Sequence, residues 1–248
     1  MEFSSLPRIR KKWEQVGKKN PVFATAGGRA SASPKKLAED SLQILENGIL
    51  FDMSPESISS MTVLEIGCGV GRLLGLMSER STRVIGVDVC NAIIQEAQKR
   101  TNHLPNVELY QNLGSNFPFI PSRSIDFVYS YRVFNHNAGD VVLSYFNEAF
   151  RVLRSGGIFR FHVTGTSRML RDSVNNLFHM KSRLAFVGFV QACLWFDSVI
   201  VIFPMVPIGR SYTKKELRSR LTKIGFTDIG FRDCERLDGG IWVTCRKI

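Results

Sequence analysis

The sequence lacks the features that mark secreted and metal-binding proteins. Its five cysteines are odd in number and scattered, with no C-x-x-C pair and no histidine at metal-ligand spacing. The first residues contain no apolar run followed by a small-residue cleavage site, which is the pattern of a signal peptide. We therefore predict no metal site and expect a cytoplasmic protein with reduced cysteines.

Segments of strongly biased composition are also lacking. Of the 248 residues, 44% are hydrophobic and 22% are charged, as in an ordinary soluble protein. No internal repeat is visible. The chain is long enough for one α/β unit with a sizeable buried core and an insertion.

Positive charge is in excess and is concentrated near the start of the chain. The net charge is +11, and the first twenty residues contain Arg8, Arg10, Lys11, Lys12, Lys18 and Lys19. Such a basic patch attracts an anionic partner, for example a phosphorylated substrate, a nucleic acid or an acidic membrane surface. A solvated, partly frayed terminus is the other interpretation.

Short apolar runs alternate with helical stretches along most of the chain. Ser33-Pro34 has the pattern of an N-cap followed by proline at the first helical position. Strands are predicted at 62–66, 83–87, 107–110, 124–130 and 158–163, and helices from 71, at 91–100, at 140–153 and at 214–223. Strands that alternate with helices indicate a mostly parallel sheet covered on both faces. The last two β-like runs, FTDIGF and GIWVTC, are too close for a parallel crossover and predict an antiparallel pair.

A glycine-rich turn follows the first predicted strand, in VLEIGCGVGRLL. Glycines between a strand and a helix let the backbone approach a ligand, and the helix start offers free N–H groups. The dinucleotide fingerprint G-x-G-x-x-G lacks its third glycine here, because Arg72 and Leu74 stand at the two possible positions. Asp88 ends the next strand, where a carboxylate can accept both hydroxyls of a ribose.

With these motifs the chain resembles the class I S-adenosylmethionine-dependent methyltransferases, in the subgroup that methylates small molecules. The resemblance extends from about residue 60 to the end and implies a Rossmann-like, three-layer α/β/α fold. Its seven-stranded sheet would be mostly parallel with an antiparallel C-terminal strand pair. Residues 1–60 would form a basic segment and helical cap, and residues 61–248 the methyltransferase domain with a hydrophobic insertion at about 166–210.

The resemblance also implies a set of cofactor-binding residues. Glu65 would hold the methionine end of S-adenosylmethionine, Asp88 the ribose, and Val89 would lie against the adenine. Many relatives have an aspartate after the third strand that contacts the adenine amino group, whereas this sequence has Asn112 and Leu113 there. The complete predicted set is Glu65, Gly67, Cys68, Gly69, Gly71, Asp88, Val89, Asn112, Leu113 and Tyr131.

Methyl transfer from a sulfonium needs positioning and a dry pocket, and a base only if the acceptor is protonated. His136, in the loop after the fourth strand, is the candidate base, because histidine titrates near neutral pH. A residue that caps or packs against the next helix is the alternative. Asn135 is expected to line the pocket, and His162 to be a core histidine without a role.

The segment 184–203 is apolar and aromatic but contains Gln191 and Asp197. A central aspartate costs on the order of 3 kcal/mol in a membrane-spanning helix, and the terminal strand pair must join the same sheet. We therefore expect a buried lid over an apolar acceptor, a surface that dips into a membrane, or an element that completes the core.

Three functions remain open from the sequence. The first is methylation of a small apolar or amphipathic acceptor, and the second is methylation of RNA or protein, suggested by the net charge. The adenine-N6 signature, Asn/Asp-Pro-Pro-aromatic, is missing after the fourth strand, which argues against nucleic acid. The third is a binding protein that has kept the fold without turnover.

Overall fold

The computed structural model describes residues 6–19, 21, 33–114, 116–137, 139–165, 211–234 and 240–248. The strands are β1 Thr62–Ile66, β2 Arg83–Asp88, β3 Val107–Gln111, β4 Ile125–Tyr131, β5 Leu153–Thr164, β6 Phe226–Asp233 and β7 Gly240–Lys247. The α-helices are α1 Leu6–Lys19, α2 Pro34–Ile44, α3 Pro55–Ser59, α4 Arg72–Ser78, α5 Asn91–Thr101, α6 Gly139–Val152 and α7 Lys214–Ile224. A π-helix, Leu45–Ile49, continues α2, and a 3-10 turn, Phe134–His136, follows β4.

The seven strands form one sheet in the order β3-β2-β1-β4-β5-β7-β6. Strands β1 to β5 are parallel, and β7 lies between β5 and β6 and runs antiparallel to both. The predicted Rossmann-like sheet with an antiparallel terminal pair is therefore confirmed. Because β6 is antiparallel to β7, and β7 is antiparallel to β5, β6 runs in the same direction as the first five strands.

Helices cover both faces of the sheet, as the alternating side chains of the strands require. On one face Leu64 and Phe159 pack in a core that includes α6 and α7. On the other face Val63 and Phe127 pack against α2, the π-helix, α3 and α4. Both cores consist almost entirely of fully buried aliphatic and aromatic side chains.

The predicted start of the second helix is confirmed at atomic detail. The hydroxyl of Ser33 accepts a hydrogen bond from the backbone N–H of Lys36, and Pro34 is the first helical residue. The π-helix that follows places Gly48 directly against the buried ring of Trp242, where a Cβ atom would overlap the indole. A glycine at this position is what lets the N-terminal segment pack closely on β7.

The basic N-terminal segment forms α1, which the sequence did not predict. Leu6 is 9% exposed, and a carboxylate oxygen of Glu14 accepts a hydrogen bond of 2.7 Å from the backbone N–H of Asn91, the first residue of α5. Gly17 lies against Cys90 and Ile93. Residues 6–19 are therefore packed onto the domain, and the interpretation as a frayed terminus is wrong for them.

The strand order reverses between β1 and β4, so the connections after these two strands lead to opposite faces of the sheet and leave a crevice between them. The insertion leaves and returns at the same edge, because Gly165 and Tyr212 form a parallel bridge and the N–H of Tyr212 donates to the carbonyl of Thr164. The predicted insertion at 166–210, including the apolar segment 184–203, lies outside the described residues. Within the described ranges, no helix has the length and hydropathy needed to cross a membrane.

Candidate cofactor site

The glycine-rich turn lies at the crevice and depends on backbone conformations that glycine favours. Gly67, Gly69 and Gly71 have φ angles of 73°, 56° and 77°. A Cβ atom on Gly67 would overlap the side chain of Val133, which follows β4. Glycine here therefore allows the loops after β1 and β4 to meet at the point where a ligand would bind.

The carboxylate of Asp88 fixes this turn. One oxygen accepts a hydrogen bond of 3.1 Å from the N–H of Gly69, and the other accepts one of 3.0 Å from the N–H of Cys90. Burial raises the pKa of Asp88 to about 6, although backbone N–H groups oppose the shift. Each carboxylate oxygen keeps a further lone pair, as binding to ribose hydroxyls requires.

Glu65 lies one residue before the end of β1 and is only 3% exposed. Its carboxyl accepts a hydrogen bond of 2.9 Å from the hydroxyl of Tyr129, which is itself fully buried on β4. Burial raises the pKa of Glu65 to about 8, against the opposing effects of this hydrogen bond and of the nearby Arg72 charge. Without a bound cation, Glu65 is therefore mostly protonated at pH 7.

Asn112 follows β3 and is 2% exposed. Its side-chain amide nitrogen donates a hydrogen bond of 3.0 Å to the hydroxyl of Tyr145, whereas its side-chain oxygen has no hydrogen-bond partner among the described residues. A buried acceptor without a donor is costly, and an adenine amino group would supply that donor. Asn112 is thus suited to the contact for which relatives use an aspartate.

The other residues of the predicted cofactor set lie around the glycine-rich turn and the side chains of Asp88, Glu65 and Asn112. Cys68 is buried, and its N–H donates to the carbonyl of Val87, so it shapes the turn from within. Leu113 is 57% exposed, and Val89 lies beside Gly114. Tyr131, at the end of β4, has the guanidinium of Arg72 5.9 Å from its ring centroid.

Helix α1 covers this edge of the site, a contribution that no sequence motif indicated. Leu6 packs close to Gly114, which adjoins the loop of Asn112. Trp13 packs beside Val70, which lies within the glycine-rich turn. The signal that could have located the helix is the apolar stripe of Leu6, Trp13 and Gly17 opposite its lysines.

His136 is the last residue of the 3-10 turn and contacts α1. Its ring packs edge-on against Trp13, with 5.5 Å between the centroids, and its Nδ1 is buried without a hydrogen-bond partner among the described residues. Burial lowers the pKa of His136 to about 4, and the charges of Lys12 and Arg132 lower it further. His136 is therefore neutral at physiological pH and can accept a proton, although only weakly.

Asn135, which was predicted to line the pocket, follows β4, and His162, which was predicted to be a core histidine without a role, lies near the end of β5. Asn135 is 7% exposed, and its side-chain oxygen accepts a hydrogen bond of 3.1 Å from the N–H of Thr164. His162 is 1% exposed and lies between Tyr131 and Trp242, with ring centroids 5.1 Å from each. These rings form an aromatic cluster below the crevice.

Comparison with known proteins gives three kinds of similarity. A family model described as a methyltransferase domain matches residues 63–157. A protein of Mycolicibacterium smegmatis described as a probable S-adenosylmethionine-dependent methyltransferase is 29% identical over 149 residues, which cover 58% of this chain and 55% of that protein. The 2-phytyl-1,4-naphtoquinone methyltransferase of Thermosynechococcus vestitus is 31% identical over 99 residues, covering 39% of this chain and 43% of that enzyme.

Among solved structures, the DhpI–SAM–HEP complex superposes with a TM-score of 0.62 at 19% identity and covers 99% of this chain and 100% of that chain. At this identity the likeness concerns the fold. The matched stretches of this chain span about half the length of the two curated relatives.

The protonated state of Glu65 predicts that cofactor binding is linked to proton release. If Glu65 holds the ammonium group of S-adenosylhomocysteine, as the resemblance implies, that group favours the carboxylate form and a proton leaves when the ligand binds at pH 7. With a pKa of about 8 for Glu65, affinity should rise about fivefold between pH 7 and pH 8. Calorimetry in two buffers of different ionisation enthalpy measures the proton released per ligand.

Glu65→Gln is the matched control, since it keeps the shape and the hydrogen bond from Tyr129 but cannot ionise. It should bind more weakly, with less proton release and a shallower pH dependence. Equal binding heats of the unaltered protein in the two buffers would contradict the assigned role of Glu65.

Proposed function

We propose that this chain is a class I S-adenosylmethionine-dependent methyltransferase and that it transfers the methyl group to a small apolar or amphipathic acceptor. The observation that carries the proposal is the row of polar side chains at the carboxyl ends of β1, β2 and β3, of which Glu65 and Asn112 are buried and Asp88 is half-buried. Glu65, Asp88 and Asn112 match in order the amino, ribose and adenine groups of the cofactor. A decayed site would have little reason to keep three such costly groups.

Bound S-adenosylmethionine supplies an activated methyl group on a sulfonium. The chain's own task is then to hold the acceptor in line and to exclude water. Val133 and Tyr131, at the end of β4, lie where the loop after β4 meets the glycine-rich turn. We assign the acceptor side of the site to this loop.

The proposed small acceptor is supported by aromatic surface and by a relative. The rings of Tyr131, His162 and Trp242 pack together beneath the crevice, so the floor of the acceptor side is largely apolar. The relative from Thermosynechococcus vestitus is named for a naphthoquinone acceptor. Methylation of RNA or protein is the alternative, and the exposed lysines of α1 favour it.

The acceptor class can be measured directly. The purified chain, given methyl-labelled S-adenosylmethionine and separate small-molecule, RNA and protein fractions of a cell extract, should label the small-molecule fraction. Asp88→Ala removes hydrogen bonds to a charged group and should weaken S-adenosylhomocysteine binding at least about tenfold, with matching loss of labelling. Asp233→Ala, on an exposed aspartate at the end of β6, is the control and should change neither.

Unaltered cofactor affinity in correctly folded Asp88→Ala would overturn the cofactor assignment. Label that enters RNA and falls steeply with salt, or enters protein, would instead favour the alternative acceptors.

We propose that His136 takes the acceptor's proton when the acceptor is protonated. Its buried Nδ1 has no hydrogen-bond partner among the described residues, and the depressed pKa keeps the ring neutral. His136→Ala should lower kcat about a hundredfold or more while leaving S-adenosylhomocysteine affinity unchanged. His103→Ala, on an exposed histidine after α5, serves as the control. Full turnover in His136→Ala would contradict the proposed proton transfer, and His136 would then have only a packing role against Trp13.

We also propose that α1 contacts an anionic membrane surface. Lys11 and Lys18, like Lys12 and Lys19, are seven residues apart, or two helical turns, so the four lysines lie on one side of α1. All four are exposed, whereas Leu6 and Gly17, on the opposite side, are buried. Each lysine near an anionic surface contributes about 1 kcal/mol.

Flotation with vesicles containing phosphatidylserine tests this contact. The unaltered chain should float at low salt, and replacement of the four lysines by glutamine should abolish flotation. The control variant removes the same charge elsewhere, through glutamine at Lys99, Arg100, Lys215 and Lys223. Equal flotation of both variants would reject α1 as the contact surface.

A further inference from the structure

A second cleft lies away from the cofactor loop, on the sheet face that the π-helix and α3 partly cover. It has a volume of about 700 Å³ and is lined by the segment from Phe51 to Met61, by β5 and by the two terminal strands. None of the residues assigned to the cofactor lines it. The volume is in the range of small-molecule sites.

Arg160 forms the back of this cleft and is rigidly held. It is 1% exposed, and its guanidinium donates two hydrogen bonds, of 2.7 and 2.9 Å, to the carboxylate of Asp52. It also donates to the carbonyl of Ile49 and to the hydroxyl of Thr244. Arg160 and Asp52 thus neutralise each other, and Arg160 has little capacity left for a ligand.

Arg232, by contrast, can still donate hydrogen bonds to a ligand. Its guanidinium lies 3.8 Å from the ring centroid of Phe51, and the guanidinium of Arg160 lies 4.3 Å from the same centroid. Among the described residues its side chain makes one hydrogen bond, to the carbonyl of Asn47, and its Nε has no partner. Stacking on Phe51 therefore orders the guanidinium while leaving donors unused.

Arg246 adds a third positive charge on β7. Its side chain is exposed, and its Nη1 makes one long contact, 3.4 Å, with the carbonyl of Gly156. In the described part of the chain, neither Arg232 nor Arg246 forms an ion pair with a carboxylate. The charges of both lower the pKa of Arg160, in addition to its burial, so the three charges act on one another.

One carboxylate, Asp228, also lines the cleft beside the paired Asp52, so the three arginines exceed the two acids by one positive charge. The remaining walls include the apolar side chains of Met53, Met61 and Ile158, together with the hydroxyl groups of Ser57 and Thr244. Nothing lies within 4 Å of the position where a Cβ on Gly230 would stand. The cleft thus combines unused guanidinium donors with an open, apolar interior.

We propose that this cleft binds a small amphipathic organic anion, whose carboxylate or phosphate group pairs with Arg232 and Arg246 while its apolar part contacts the methionines. Planar guanidinium groups suit such oxyanions because they donate two parallel hydrogen bonds. The apolar part displaces water from Met53 and Met61. The site is independent of the proposed methyl transfer.

Phenyl phosphate and 4-phenylbutyrate are suitable probes, with 4-phenylbutanol as the neutral control. Binding is measured by calorimetry on the full chain with saturating S-adenosylhomocysteine, which blocks the cofactor site. At least one anion should bind, and the alcohol should bind more weakly. Preference for phenyl phosphate or for 4-phenylbutyrate distinguishes a phosphate from a carboxylate ligand.

Two variants change the cleft without touching the cofactor site. Arg246→Gln should weaken binding about tenfold, because one charge-assisted hydrogen bond is lost. Gly230→Leu should block binding by filling the interior, and its open surroundings should let the chain fold normally. Arg100→Gln, on exposed α5, is the matched charge control and should bind as the unaltered chain does.

The proposal is overturned if neither anion binds, if the alcohol binds equally well, or if Arg246→Gln and Gly230→Leu both retain the original affinity. Loss of binding in Arg100→Gln equal to that in Arg246→Gln would also overturn it, because the attraction would then reflect net charge alone. Thermal unfolding of each variant verifies that the fold is intact.

Discussion

Asp88 ties the end of β2 to the glycine-rich turn with both oxygens of its carboxylate. The turn needs this anchor, because three of its residues are glycines with positive φ and little conformational preference of their own. The end of β3 and the start of α5 are also held close to Asp88. The carbonyl of Asp88 accepts a hydrogen bond from the N–H of Asn112, and α5 starts just beyond it, with the N–H of Asn91 bound by Glu14 of α1.

Burial of carboxyl groups distinguishes the edge of the sheet that holds the candidate cofactor site. Two carboxyl groups are held in places where burial raises the pKa, and each is kept there by specific hydrogen bonds from Tyr129 or from the backbone. Such groups are expensive in the folded chain unless a ligand compensates them. In the proposed cofactor site, a cationic, hydroxyl-rich molecule would offset the cost of burying Glu65 and Asp88.

The same sheet face links the two candidate sites. Glu65, Tyr129, Arg160 and Thr244 are successive partners in one register row across β1, β4, β5 and β7. Alternation along the strands puts all four side chains on the face covered by the π-helix. Tyr129 thus separates the acidic Glu65 from the basic Arg160. The two candidate sites on either side are proposed to bind ligands of opposite charge.

The sequence by itself determined the layout of the domain. Both bounds of β1 were predicted correctly, and those of β2, β3 and α5 to within one residue, because each strand or helix has its own local hydrophobic period. Ser33 was identified as a cap for the same reason, since capping is a contact between residues three apart. The glycine turn and Asp88 were identified from their positions at the ends of predicted strands, and Asn112 from the resemblance to the methyltransferase family.

Only the tertiary structure decided the contacts between distant segments. Helix α1 was missed because its clustered lysines and arginines obscure a short apolar stripe, which has meaning only when Leu6 and Trp13 meet Gly114 and His136. The partner of Arg160 is Asp52, which is 108 residues away in the chain. No local pattern encodes such a pair, because the two residues meet only in the folded sheet, where Arg160 is buried and the exposed carboxylate of Asp52 compensates its charge.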